Sequence, residues 1–339
     1  MIVGRRAFRA PPAVGRLEQG AVPTFTVVIA AHNAATTIAE AVESAIGQTL
    51  PPLEVIVCDD GSTDATARAL EPYRDNLVYV RKERGGAASA RNAALEHATG
   101  AFFVILDADD AYLPQRLEAL ADLAVARPDL DVLCTDALFE VDSQIVGRFG
   151  ETCAFEIVDQ RSAILERCFC AWPAIRRATL VAAGGFDESL QTGSDWECAI
   201  RLLHSGAVAG LVDEPLYRYR VHGGSLTADR VRTLRERVAF LERAGQILPL
   251  DARARAALVR SLSAQRASLA LTEAEAALRS RSPDARRRAL QAARSPGVAL
   301  RSRAAALAAA LAPATAASAL ERQALRGRRT RLGRSVPGA

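Results

Sequence analysis

The sequence predicts an α/β protein: a mostly parallel sheet flanked by helices, followed by an α-helical C-terminal region. Three observations carry this. Apolar runs of strand length alternate with segments of helical period from Thr24 to Pro128. Clusters of polar residues follow the strands, where ligands bind in open parallel sheets. Beyond Asp229 the Ala/Arg/Leu pattern is helical, with breaks near Pro249, Pro283, Pro296 and Pro313.

TFTVVIAA, Thr24 to Ala31, is β-branched and apolar and makes the first strand. TIAEAVESAIGQTL follows at helical period, and Thr37 with Glu40 has the spacing of a capping box. PPL gives a turn, Glu54 to Cys58 a second buried strand, and DDGSTDATARAL a loop and a helix. NLVYVRK is the third strand, and GGAASARNAALEHA opens on glycines and becomes helical. AFFVIL, uncharged, is the fourth strand, and LPQRLEALADLAVARP the next helix. After DLDVLCTDALFEV the alternation loosens into a short helix, a strand near Trp172 to Ile175, a Gly-Gly turn and a helix from about Asp195 to His204. AVAGLVDEPLYRYRVHGGSLTA reads as strand, turn, strand and polar loop.

A chain of 339 residues suggests about two domains. Its composition, 50% hydrophobic and 24% charged, is that of a globular protein with a real core. The net charge of +4 hides an asymmetry. From Asp229 onward 23 arginines face 8 acidic residues, a balance of +15, which leaves −11 for residues 1–228. An acidic body with a basic tail suggests two parts with different partners. Lys82 is the single lysine. The six cysteines contain no C-x-x-C pair, which suggests reduced, mostly buried thiols and a cytoplasmic setting. Residues 1–22 lack an apolar core segment and read as a disordered lead. Ala304 to Leu320 is mainly alanine and contains Pro313, a poor membrane span.

The chemistry concentrates at three strand ends: His32 and Asn33, then Asp59 and Asp60, then Asp107, Asp109 and Asp110. Two aspartates one residue apart can share a hard cation, with a diphosphate supplying further oxygens. An Asp-rich turn is the ordinary explanation of an isolated D-x-D; here the motif ends a buried strand in a nucleotide-binding pattern.

In this order and spacing, VVIAAHN, LEVIVCDDGSTD, GGAASARNAAL, ILDADD, GGFDESLQTGSDWECAIRL and YRYRVHGGS resemble the inverting, metal-dependent glycosyltransferases of family 2, with the GT-A fold. The resemblance runs from about Thr24 to Ala228 and makes residues 23–228 the catalytic domain. It implies that Asp59 and Asp60 recognise the base and ribose of a nucleoside-diphosphate sugar, with UDP first among donors. Asn33, Arg91 and Asp107 belong to the same nucleotide-sugar site, and His32 could stack on the base. Asp107 and Asp109 would hold Mn²⁺ or Mg²⁺, with His222 as a further ligand. Asp195 matches the catalytic base, which a sugar hydroxyl needs in order to attack. Gly185 and Arg220 fall in loops that shape the acceptor pocket or cover the diphosphate, and Trp196 either lines the acceptor site or packs in the core. Asp110 is either a third ligand or the cap of the helix beginning near Leu113.

The chain departs from the family at Ser194, where an acid is usual, which keeps an inactive glycosyltransferase-like scaffold as an alternative. A sugar-1-phosphate nucleotidyltransferase would want a Gly-rich basic loop after the first strand, where AAHNAAT stands. The acceptor implied is a glycan or glycolipid of a cell-surface polymer. For residues 229–339, whose end reads as disordered, a helical cap is the plain expectation. Peripheral contact with anionic lipid at the inner face of the plasma membrane is the alternative. Nucleic acid is not expected, because no aromatics interleave with the arginines.

Overall fold

The computed structural model describes residues 22–223 and 229–320. The predicted N-terminal lead, but for Val22, and the extreme C-terminus lie outside them.

Four parallel strands build the predicted half of the sheet: β1 (Phe25–Ala31), β2 (Glu54–Asp60), β3 (Val78–Lys82) and β4 (Phe102–Asp107). Between them run α1 (Ile38–Ile46), the short α2 (Thr66–Ala69) with a 3₁₀ turn at Glu71–Asn76, and α3 (Ala87–His97). After β4 come β5 (Ala111–Tyr112), α4 (Arg116–Ala126) and the hairpin of β6 (Val132–Val141) and β7 (Gln144–Arg148). Then follow α5 (Phe149–Thr152), α6 (Gln160–Glu166), β8 (Ala174–Arg176), α7 (Arg177–Ala182), α8 (Ser194–His204) and β9 (Ala209–Arg220). The strand order is β3-β2-β1-β4-β8-β6-β9-β5, with β7 on β6. β8 runs antiparallel to β4 and β6, so the sheet is mixed but mostly parallel, as expected.

Register aims the site. Ala30 lies opposite Asp107, and Ala31 opposite Asp59. Both carboxylates therefore emerge beside the end of β1. Phe25, Val27, Ile29, Val55, Val57, Phe102, Val104 and Leu106 are buried beneath them with Ile38 and Leu117. A strand fully sealed by apolar neighbours holds its last residue where helix packing puts it.

Three expectations are corrected. β2 continues through Asp59 and Asp60, because the ladder to β3 persists to Asp60–Lys82. The predicted strand-turn-strand near residues 209–220 is one strand, β9. The DEP sequence is absorbed as register shifts against β6 at Thr135 and Asp136, where Pro215, which has no N–H to give, sits opposite Asp136. The Thr37–Glu40 capping box does not form; Thr37 makes no side-chain cap bond. Glu40 is drawn away by Arg218 and Arg220.

All six cysteines are free thiols, four of them buried. The described residues fall into two units that divide at 228/229, 243/244 and 257/258. The first holds the sheet together with Ala244–Ala257. The second is helical, with parts of α9 (Arg230–Ile247) and α10 (Ala252–Arg279), then α11 (Ala285–Arg294) and α12 (Leu300–Leu311). Its breaks fall at the predicted prolines. Its core is mainly alanine: Ala274 and Ala277 of α10, Ala285, Ala289 and Ala292 of α11, and Ala306, Ala309 and Ala310 of α12. Among the described residues no single helix is long and apolar enough to cross a membrane.

Candidate active site

Asn33 ties the first two strand ends together. It sits at φ 51°, a left-handed conformation that Asn tolerates. Its side-chain oxygen accepts the Thr63 amide at 2.8 Å, and its own amide donates to Ser62 Oγ at 2.9 Å. His32 Nδ1 lies 2.9 Å from the Asp60 carbonyl. These residues brace the loop after β2 as well as lining it.

Asp59 and Asp60 are spent on the protein's own donors. Asp59 is fully buried; Oδ1 accepts the Ser62 amide at 2.7 Å and Oδ2 the Tyr79 hydroxyl at 2.6 Å. Burial raises its pKa, but the hydrogen bonds from Tyr79 and Ser62 and the charge of Arg81 outweigh it and hold the carboxyl below the usual range. Asp60 accepts the amides of Gly85 and Gly86 at 2.8 and 2.7 Å, and Lys82 Nζ lies 3.1 Å from it. It thereby fixes the turn that opens α3, where Gly86 has φ +93°. Both carboxylates thus hold the backbone turns that follow β2 and precede α3.

α3 then presents Arg91, 8% exposed, with Nη2 2.7 Å from Asp107 Oδ1. Burial disfavours the guanidinium's charge, but Asp107 and Asp195 outweigh it and raise its pKa. The D-x-D motif and the expected base, far apart in sequence, thus act on one arginine. Asp195 is half-buried in the first turn of α8. Gly193, at φ +70°, starts that helix, so Asp195 is not its N-cap.

The next residue, Asn92, positions the α8 side of the site. Its side chain accepts the Phe186 amide at 2.8 Å and donates to the Phe186 carbonyl at 2.9 Å. Gly185 has φ +70°, and a Cβ there would meet Asn92 Oδ1 at 2.5 Å. Arg201 grips the same turn through the carbonyls of Ala183 and Gly185, at 2.6 and 2.7 Å. Of the two positions expected for Trp196, the structure shows the core. It is 4% exposed, and its indole N–H donates to the Ile164 carbonyl at 2.6 Å.

Asp109 and His222 lie together, Oδ2 to Nε2 2.8 Å, both partly exposed. Among the described residues no three His, Cys, Asp or Glu side chains close a metal site by themselves. A carboxylate and an imidazole beside the partly exposed Asp107 fit a divalent cation whose other positions are filled by ligand oxygens.

Asp110 is settled otherwise than expected. It is fully buried, accepting the Tyr217 hydroxyl at 2.8 Å and the Arg220 amide at 2.8 Å. Burial, then the charges of Asp107 and Asp109, push its carboxyl up to about 9. It caps no helix, since α4 begins at Arg116 after Gln115. The Tyr217 hydroxyl also accepts the Asp107 amide at 3.2 Å, so one phenol spans the motif. Arg116, fully buried, lies 4.8 and 4.9 Å from the Tyr112 and Tyr217 ring centroids. Arg220 pairs with Glu40 and, at 3.6 Å, with Glu140. Sequence reasoning missed Tyr79, Asn92, Glu40, Glu140 and Tyr217. The alternation of YRYR was the signal for the last: Tyr and Arg fall on opposite faces of β9.

Comparison with known proteins bears on the family and the fold. Residues 26–180 match the model of "Glycosyl transferase family 2". A relative in Escherichia coli, the UDP-Glc:alpha-D-GlcNAc-diphosphoundecaprenol beta-1,3-glucosyltransferase WfaP, is 30% identical over 216 residues, covering 62% of this chain and 82% of that protein. The chain belongs to glycosyltransferase family 2. This family 2 glycosyltransferase shares its fold with TarS 1-349 of S. aureus, solved in complex with UDP. The TM-score is 0.60 at 20% identity, covering 90% of this chain and 92% of that one. It also resembles the mannosyltransferase PcManGT of Pyrobaculum calidifontis, solved with GDP-Man and Mn²⁺. There the TM-score is 0.57 at 24% identity, covering 91% of this chain and 81% of that one. The architecture is thus the GT-A fold expected from the motifs.

Proposed function

We propose that this enzyme moves a sugar from a nucleoside-diphosphate sugar, UDP first among donors, to a hydroxyl of a glycan or glycolipid, with inversion. The observation that carries the reading is the convergence of Asp107 and Asp195 on the buried Arg91. It supports reading the D-x-D motif and the Asp195 carboxylate as parts of one site. Asp195 removes the acceptor proton as the oxygen attacks the anomeric carbon from the face opposite the leaving group. Arg91 keeps the two aspartates from repelling each other and orients Asp107. Asp107, Asp109 and His222 would hold a divalent cation, Mn²⁺ or Mg²⁺, which supplies charge neutralisation for the departing diphosphate. The Asp59 and Asp60 loops form the base and ribose floor; Gly185 and Arg220 border the acceptor and diphosphate. We take residues 23–228 as the catalytic domain and 229–339 as a basic region that brings it to the inner face of the plasma membrane. The test is a Mn²⁺-supplemented donor-hydrolysis and transfer assay across UDP, GDP and dTDP sugars, with product anomers read by NMR. Turnover with an inverted anomer is expected; no binding or hydrolysis of any donor, or a retained anomer, overturns the reading.

A further inference from the structure

We propose that the outer faces of α11 and α12 form a docking surface for an anionic lipid bilayer. The inference deepens the membrane part of the proposed function and is independent of the transfer chemistry.

The alanine faces of both helices meet α10 in one small-residue core. Their other side chains are therefore directed away from it. On α12 the outward residues include Leu300, 82% exposed, Leu307, 47%, and Leu311, 82%. With Ala304, also exposed, they fall at i, i+4, i+7 and i+11, which is one helical stripe. Three leucines at one outer stripe are costly to leave in water, and scattered single apolar residues are the ordinary surface pattern.

On α11 the outward residues are basic. Arg286, Arg287 and Arg294 are exposed, and with Leu290, Pro283 and Pro296 they line an open groove of about 710 Å³. Arg287 also holds Asp284 at 2.9 Å. Arg301 is exposed at the start of α12. Apolar side chains beside arginines suit a headgroup layer: leucines enter the acyl boundary while guanidiniums meet phosphates. Sequence beyond the described residues continues the charge, with six arginines and one acid in residues 321–339. A second copy of the chain is a poorer occupant, since it would bring a like-charged surface against this one. The geometry is that of a helix lying on a bilayer. Leu300–Leu311 and Pro313–Leu320 reach spanning length only as a pair bent by 118°.

The experiment is co-sedimentation of the full chain with phosphatidylcholine vesicles, with and without phosphatidylglycerol, at low and high salt. Binding is expected on the anionic vesicles and should weaken with salt. Replacing Arg286, Arg287 and Arg294 by Gln should weaken it about 100-fold, and the same three changed to Lys should restore most of it. Leu300→Ser with Leu307→Ser and Leu311→Ser should weaken it about 10-fold or more. Circular dichroism should show unchanged helix in each variant. No binding to anionic vesicles, equal binding to neutral ones, or unaltered binding by both triple variants overturns the proposal. So does a leucine-dependent dimer in sedimentation equilibrium without lipid. Vesicle binding without donor turnover would retain this surface and sink only the transferase reading.

Discussion

Arg91 Nη2 lies 2.7 Å from Asp107 Oδ1, while Asp195 acts on the same guanidinium from another element. A nearly buried cation therefore feels two carboxylates that lie far apart in sequence. Arg91→Ala would leave them facing each other and is expected to cost about 3 kcal/mol of stability, read by urea unfolding. Arg91→Lys should recover part of that loss, because it restores charge without the fork. Equal stability of Arg91→Ala and wild type would count against the pairing.

Asp195→Asn removes the proposed proton acceptor and keeps the shape. Transfer should fall by about 10² to 10⁴ while calorimetric affinity for the donor nucleotide stays near normal. Near-normal kcat in this variant would remove Asp195 from the role of base.

Asp109→Ala and His222→Ala should act together. Each is expected to weaken Mn²⁺-dependent donor binding, and the double variant should lose little beyond the stronger single one, because the proposal gives both side chains to one cation. Full additivity in a titration of donor at fixed Mn²⁺ would show that they act separately.

Asp110 gives a pH signature opposite to an ordinary carboxylate. Its pKa is raised to about 9 in the folded chain from 3.8. The stability it contributes is therefore present in full below about pH 4 and lost as pH rises through about 9. Asp59 and Glu40, held low, pull the other way in acid, the second chiefly through its hydrogen bond from Arg220. Comparing wild type with Asp110→Asn isolates the effect: in metal-free protein, the gap in unfolding free energy should change steadily from pH 5 to pH 9 in favour of Asn. A gap independent of pH would contradict it.

Gly185→Ala meets two obstacles, a φ of +70° and Asn92 Oδ1 at 2.5 Å. A loss of about 1 to 3 kcal/mol is expected. Pairing it with Asn92→Ala should relieve the clash but not the backbone strain, so a double-mutant cycle should show partial rescue.

Much of this was legible before any coordinates. Strands β1 to β4 announce themselves by apolar runs, and the polar residues after them locate the site's edge because a parallel sheet gathers strand ends. The misses share a cause. Glu40 has the right spacing for a cap, but two arginines from β9 outcompete a backbone amide. Trp196 and Asp110 look available in the sequence and are sealed by Ile164 and Tyr217. Long-range partners decided each, and spacing along a chain carries no information about them. The DEP segment misled for a local reason, since turn-forming residues can also sit in a bulge.

Lys82 has a practical consequence. As the single lysine, its ammonium is 3.1 Å from Asp60 at the rim of the floor that the β2 loop builds. Amine-reactive dyes, cross-linkers or sensor-chip chemistry will find one lysine side chain in these 339 residues, at that position. A fluorophore placed there would report on the turn that Asp60 holds through the Gly85 and Gly86 amides. Covalent immobilisation through the same group would tether the molecule beside that turn and would change the charge that faces Asp60.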